Sequence, residues 1–312
     1  MFFVDLHCDT ITKAEDKKET LKENNLAVDI NRLLSYECPI QCFAIWHNFS
    51  KISNPFERAK KSINFYKREI SKNSMYIGHI NNYEDFLLNY NSFKISSMLS
   101  LEGGEALENS IENLHFFYNE GVRSLNLTWN NNNSLASSCY SDKYGVTDFG
   151  LEVLNEMEKL KMFVDFSHLS KKGIKDVVEK TNVLVMASHS NSKEILNHKR
   201  NLSNYELKLI KEKDGLVGLN LYLPFLINNE TSSVTKEDFE TAFSKHIEQM
   251  IKILSEDNIA IGSDFDGADD FYDLAKDVTS MPYLFSIVES KFGNLVAKKI
   301  FGDNFLRQLK KL

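Results

Sequence analysis

Eight short apolar, β-rich runs recur along the chain with helical patterns between them, and this rhythm limits the fold more than any other feature. The runs are Phe2–His7, Ile40–Trp46, Ile95–Leu101, Arg123–Trp129, Met162–His168, Val183–His189, Leu216–Tyr222 and Ile259–Asp264. Their hydrophobicity is continuous rather than alternating, which marks strands covered on both faces, as in a parallel sheet. Helix starts fall between them. Asn54-Pro55 places proline behind a good N-cap, and Ser170 is set to cap a helix running through Lys180. Thr235 and Asp238 form a capping box ahead of the stripe Phe239, Ala242, Phe243, His246, Ile247 and Met250. Eight strand–helix alternations in 312 residues predict an α/β fold, a (β/α)8 TIM barrel, rather than a doubly wound open sheet. No composition break divides the chain, so 1–312 is expected to be one domain, with 268–312 forming a loop and two terminal helices.

Composition narrows the partners. A net charge of −7 argues against nucleic acid, whose binders carry a basic footprint. No apolar run approaches the roughly 18 residues that a membrane span requires. The first strand begins at Phe2, which leaves no room for a secretory signal, so a cytoplasmic protein without a membrane partner is expected. Cysteines at 8, 38, 42 and 139 lack the paired spacing of a sulfur-ligated zinc site and are expected to be reduced thiols. Cys8 is expected to pack on the strand face opposite His7 and Asp9. Dinucleotide, P-loop and nucleophile-elbow motifs are all missing from the sequence.

In a parallel barrel the chemistry lies at the C-terminal ends of the strands. The chain places His7 and Asp9 at the end of the first run, Glu102 at the third, His168 at the fifth, His189 at the sixth and Asp264 at the eighth. Imidazole and carboxylate donors together suit a divalent transition ion such as zinc. This number of donors suits two ions with a shared carboxylate, and Glu102 has two oxygens to divide between them. The Gly103-Gly104 pair behind it permits a close backbone approach.

The stretches Asp5-Leu6-His7-Cys8-Asp9-Thr10, Leu101-Glu102-Gly103-Gly104, Val164-Asp165-Phe166-Ser167-His168, Ala187-Ser188-His189-Ser190, Lys199-Arg200-Asn201 and Gly262-Ser263-Asp264-Phe265-Asp266-Gly267 carry a resemblance. Together with Gly302-Asp303-Asn304-Phe305-Leu306-Arg307, they resemble the renal (membrane) dipeptidase family of binuclear zinc peptidases, peptidase family M19, among the amidohydrolase-like barrels. The resemblance implies a dipeptide substrate, a homodimer and two zinc ions bridged by a hydroxide. His7, Asp9 and Glu102 would hold one ion, and Glu102, His168 and His189 the other. It also implies Arg200 as the group that binds the substrate carboxylate, and Asp264 as general acid/base. A guanidinium suits the first role because it pairs bidentately with a carboxylate. For Asp266, helix capping or orientation of a neighbouring ligand is expected rather than direct ligation.

One position departs from the family. Trp129 stands where the family places a histidine that contacts the scissile carbonyl, and an indole donates one hydrogen bond but carries no proton to the reaction. Trp129, Asn130 and Tyr222 are expected to line the substrate pocket. The departure leaves three readings: a dipeptidase, a hydrolase of another small amide or lactone, and a catalytically silent metal-binding relative. His47 is near enough to the second run's end to reach the mouth, but a surface or supporting role is expected. His246 is expected to be packed within its helix stripe, and His79 and His115 have no site-like setting.

Overall fold

In the computed structural model, which describes residues 1–228 and 234–312, the described residues form nine parallel strands in one sheet. They are β1 (Val4–Cys8), β2 (Ile40–Trp46), β3 (Ile77–His79), β4 (Ile95–Glu102), β5 (Val122–Asn126), β6 (Phe163–Asp165), β7 (Leu184–Ala187), β8 (Leu216–Leu219) and β9 (Ile259–Ile261). The order β2-β1-β9-β8-β7-β6-β5-β4 closes through a direct β2–β4 pairing from Ile40↔Ser96 to Trp46↔Glu102. The result is the eight-stranded parallel barrel that the sequence predicts. β3 is an addition. It pairs with Ile95–Ser97 on the edge of β4 that β5 takes over from Leu99 onward.

Two layers of apolar side chains hold the barrel. Val4, Leu6, Ile40, Cys42, Met98, Phe163, Met186, Leu216 and Ala260 form the inner layer, joined by Phe305 and Leu309 of the terminal helix Asn304–Leu309. A larger cluster, including Phe43, Ile45, Leu99, Leu125, Val164, Val217 and Ile261, packs against the surrounding helices. Each fully buried side chain of this size contributes roughly 1.5–3 kcal/mol.

The ladders are shorter than the apolar runs. β6 stops at Asp165, three residues before His168, and β9 stops at Ile261, three before Asp264. Buried carboxylates take over as acceptors where the ladders end. Asp165 Oδ1 accepts from the backbone N–H groups of Ser167 and Ser188, each at 2.9 Å, and Asp5 Oδ1 accepts from that of Ser263 at 2.8 Å. The site residues therefore sit on the first turn beyond the strands.

β1 carries a bulge. Three steps from Asp5 to Cys8 oppose two on β2, Gln41 to Phe43. The extra residue reverses the side-chain alternation above Leu6 and turns His7 toward the centre of the mouth. Asp9 lies past the strand, at the N-cap position of the helix Thr10–Lys17. It makes no side-chain cap there, so its carboxylate stays available. The simple i, i+2 strand geometry expected for His7 and Asp9 is thus replaced by a bulge and a strand exit, while Cys8 is buried in the shell behind them.

The helix starts fall where expected. Ser170 Oγ accepts from Gly173 N at 3.0 Å, and Thr235 and Asp238 form a reciprocal capping box. Asn54 precedes the helix Pro55–Lys72 without capping it. Beyond the barrel, the terminal region comprises two 3-10 turns, a helix Met281–Phe292, and a segment 294–309 whose two short helices are joined by a π-turn at Lys299–Asp303. No described helix is long and apolar enough to cross a membrane.

Candidate metal centre and active site

Six side chains from five strand ends meet at the C-terminal mouth. His7 Nε2 is 3.3 Å from Glu102 Oε2, 3.4 Å from Asp9 Oδ2 and 4.0 Å from Asp264 Oδ1. Glu102 Oε1 is 2.9 Å from His168 Nε2 and 3.7 Å from His189 Nε2. The two oxygens of Glu102 therefore face different histidines. Ligand atoms of His7, Glu102 and His189 lie within 4.8 Å of one another, as do those of His7, Asp9 and Asp264. The five expected donors are brought together in full, and Asp264 lies beside them.

This arrangement fits a cation and leaves neighbouring groups uncompensated without one. His168 Nδ1 is 2.7 Å from Asn130 Oδ1, and His189 Nδ1 is 2.8 Å from Ser188 Oγ. These contacts leave both Nε2 atoms, 3.1 Å apart, directed at each other and at Glu102. Burial, together with the charges of Arg200 and His7, pushes both imidazoles well below the usual histidine pKa, so they are neutral and present lone pairs. His7 Nε2 and Asp9 Oδ1 are buried without hydrogen-bond partners. Burial raises Glu102 to about 7 against the opposing pull of His7, and Asp9 and Asp264 add to the rise. Burial likewise raises Asp264 to about 6, with His7 opposing. Crowded buried carboxylates facing neutral imidazole lone pairs are the donor set of a divalent-metal site.

The surroundings form a cavity of ≈ 490 Å³ above the cluster. The sequence-predicted residues Trp129, Asn130, Arg200, Tyr222 and Asp264 all line it. Arg200 is 3% exposed; its Nη2 donates to the His189 carbonyl at 3.2 Å, while its Nε has no partner. Asp264 is oriented by Asn220, whose Nδ2 donates to Oδ2 at 2.9 Å. Asp266 lines the cavity but spends its oxygens on fastening loops, accepting from Thr10 Oγ1 at 2.6 Å and from Ala27 N at 3.1 Å. His47 bonds Ser62 Oγ at 2.9 Å and does not line the cavity. His246 is packed, as expected, donating from Nε2 to the Leu226 carbonyl and accepting from Ser192 N.

Sequence reasoning missed Ser188 and Asn220, which hold His189 and Asp264. It also missed Trp46, Tyr140, His198 and Phe225 on the cavity wall. Ser188 had one legible signal, its place beside His189 at a strand end. Trp46 had the same signal, since it closes the run Ile40–Trp46, whereas Tyr140, His198 and Phe225 had none, because only the closed barrel brings them to the mouth.

A closed parallel barrel with imidazole and carboxylate donors gathered at its C-terminal mouth is an arrangement that metal-dependent hydrolases use. The chain belongs to the membrane dipeptidase family (peptidase family M19), whose model matches residues 1–312. It is 31% identical over 229 residues to an uncharacterized protein in the pqqA 5′ region of Klebsiella pneumoniae, covering 70% of this chain and 82% of that protein. It is 32% identical to an uncharacterized dipeptidase of Schizosaccharomyces pombe, covering 71% of this chain but only 54% of the yeast protein. The fold matches that of a Rhodobacter sphaeroides metallo peptidase liganded with a phosphinate mimic of the dipeptide L-Ala-D-Ala. The TM-score is 0.88 at 21% identity, over 100% of this chain and 99% of that one.

Proposed function

We propose that the protein is a dipeptidase that works with two divalent cations, zinc by the chemistry of its donors. His7, Asp9 and Glu102 would hold one ion, and Glu102, His168 and His189 the other. The observation that carries this proposal is the pair of imidazole Nε2 atoms 3.1 Å apart, both with Nδ1 already engaged and both facing Glu102. Two such ions supply a water whose pKa is lowered toward neutrality and a polarised scissile carbonyl.

The remaining work falls to the chain. Arg200 is buried with donor capacity unspent at Nε, and it pairs with the free carboxylate of a small substrate. A buried guanidinium has already lost its hydration, so it favours a substrate that brings its own negative end. Asp264 accepts the proton of the attacking water at Oδ1, while Asn220 fixes Oδ2, and then passes that proton to the leaving amine. Asp264 stays ionised at neutral pH beside the cations, against the rise that burial imposes. We place the enzyme in a reducing compartment, the cytoplasm, on the support of four free cysteines.

The test is Asp264→Asn. Its metal content is expected to match wild type while dipeptide turnover falls by at least about a hundredfold, the lower range of a general acid–base contribution. Full activity in that variant would remove Asp264 from the mechanism.

A further inference from the structure

We propose that Trp46 and Trp129 form the subsite for the N-terminal side chain of the substrate, and that this subsite selects apolar, above all aromatic, side chains over charged ones. The inference rests on the dipeptidase reading and adds a substrate class to it. Trp46 ends β2, in register with Glu102 on β4, and Trp129 follows β5. The two indoles meet edge to face with centroids 5.0 Å apart, and Trp129 lies 6.2 Å from the His168 ring. Both line the cavity.

Ring order fixes which end of a substrate they meet. Around the barrel, β2, β4 and β5 are consecutive, and β8 lies on the far side of the mouth. Arg200 follows β7, and Tyr222 follows β8. A dipeptide with its carboxylate on Arg200 and its scissile bond over the cation ligands must therefore extend its first residue toward β2 and β5. Neighbouring Cα atoms about 3.8 Å apart make that a short step.

The wall that it meets is built mainly from the two indoles. Trp46 Nε1 is buried with no hydrogen-bond partner. Of the lining residues between β2 and β5, Glu102 alone is charged, and its oxygens already face three histidines. A charged side chain placed there loses its hydration without gaining a free opposite charge to pair with. An aromatic one gains ring–ring contact worth about three- to tenfold in binding.

The experiment compares kcat/KM of the metal-loaded enzyme on Phe-Gly, Leu-Gly, Ala-Gly, Asp-Gly and Lys-Gly, in wild type, Trp129→Ala and Trp46→Leu. Wild type is expected to prefer Phe-Gly to Asp-Gly by about tenfold or more, the scale of a one-group discrimination in an apolar pocket. In the variants the Phe-Gly to Ala-Gly ratio should fall by about three- to tenfold. Trp129→Phe serves as the fold-preserving comparison and should keep most of the preference. An unchanged ratio in both truncated variants overturns the proposal, as does a wild-type preference for Asp-Gly or Lys-Gly. If wild type hydrolyses none of the five, the dipeptidase reading falls by itself. Indole fluorescence titration then decides the subsite separately: tighter binding of Phe-Gly than Asp-Gly supports it, and equal binding overturns it.

Discussion

His168 and Asp264 have φ of 72° and 64°, in the left-handed region that residues other than glycine seldom occupy. Such a backbone costs about 1–2 kcal/mol per residue, and it bends each chain end inward just beyond its strand. That cost goes into aiming an imidazole and a carboxylate at one point. His168 is then locked by donating from Nδ1 to Asn130 Oδ1, Asp264 by accepting from Asn220 Nδ2, and the neighbouring His189 by the bond between its Nδ1 and Ser188 Oγ. Outer partners of this kind set both tautomer and ring orientation. Asn130→Ala is accordingly expected to weaken metal binding about 10–100-fold, the usual range for loss of such a partner. Competition with a fluorescent chelator measures it; unchanged affinity would remove Asn130 from the centre.

The donor side chains that meet at the mouth were legible in the sequence because imidazoles and carboxylates at strand ends are a pattern of residue type and place. Their exact positioning was not. The bulge at Asp5–Cys8, the left-handed turn at His168 and the bond from Asn220 to Asp264 depend on neighbours far away in the chain.

At the scale of elements, the barrel is pulled tight where β7, β8 and β9 approach one another. A Cβ on Gly262 would overlap the Ser188 carbonyl oxygen, and one on Gly218 would strike the same atom. That oxygen belongs to backbone and has little room to give. Gly262→Ala is therefore expected to destabilise the protein by about 2–3 kcal/mol, in the range of core overpacking. Urea unfolding measures this, and a midpoint equal to wild type would show that the strands can separate without cost. Eight strands were visible as apolar runs, yet β3 was not: Ile77-Gly78-His79 is too short to carry a period, and it exists because the edge of β4 is free below β5. The runs also overstated strand length, since their last residues stay apolar or buried after Asp5 and Asp165 have replaced the ladder acceptors.

Across the whole molecule, acid acts on histidines outside the centre. Burial lowers both His79 and His246 to about 4. His246 accepts from Ser192 N at Nδ1, at 3.1 Å, so protonation there breaks a buried hydrogen bond. In the unfolded chain these rings titrate near 6.5. Below that value the unfolded state binds protons that the folded state refuses. Their stabilising contribution is thus complete above pH 6.5 and is lost as pH falls from 6.5 toward 4. The loss reaches a few kcal/mol for each ring, since each proton refused costs about 1.4 kcal/mol for every pH unit crossed in that window. Thermal melts from pH 7.5 to 4.5 should show Tm falling across this window, and His246→Gln should flatten the slope. A slope identical to wild type would mean that His246 titrates alike in both states.

Glu102 turns its two oxygens toward different histidines, as a carboxylate shared by two cations would, and anomalous diffraction at the zinc edge from crystals grown with zinc tests that sharing. Two peaks per chain are expected on opposite sides of Glu102, one beside His7 and Asp9 and the other beside His168 and His189. A single peak, or peaks away from Glu102, would contradict it.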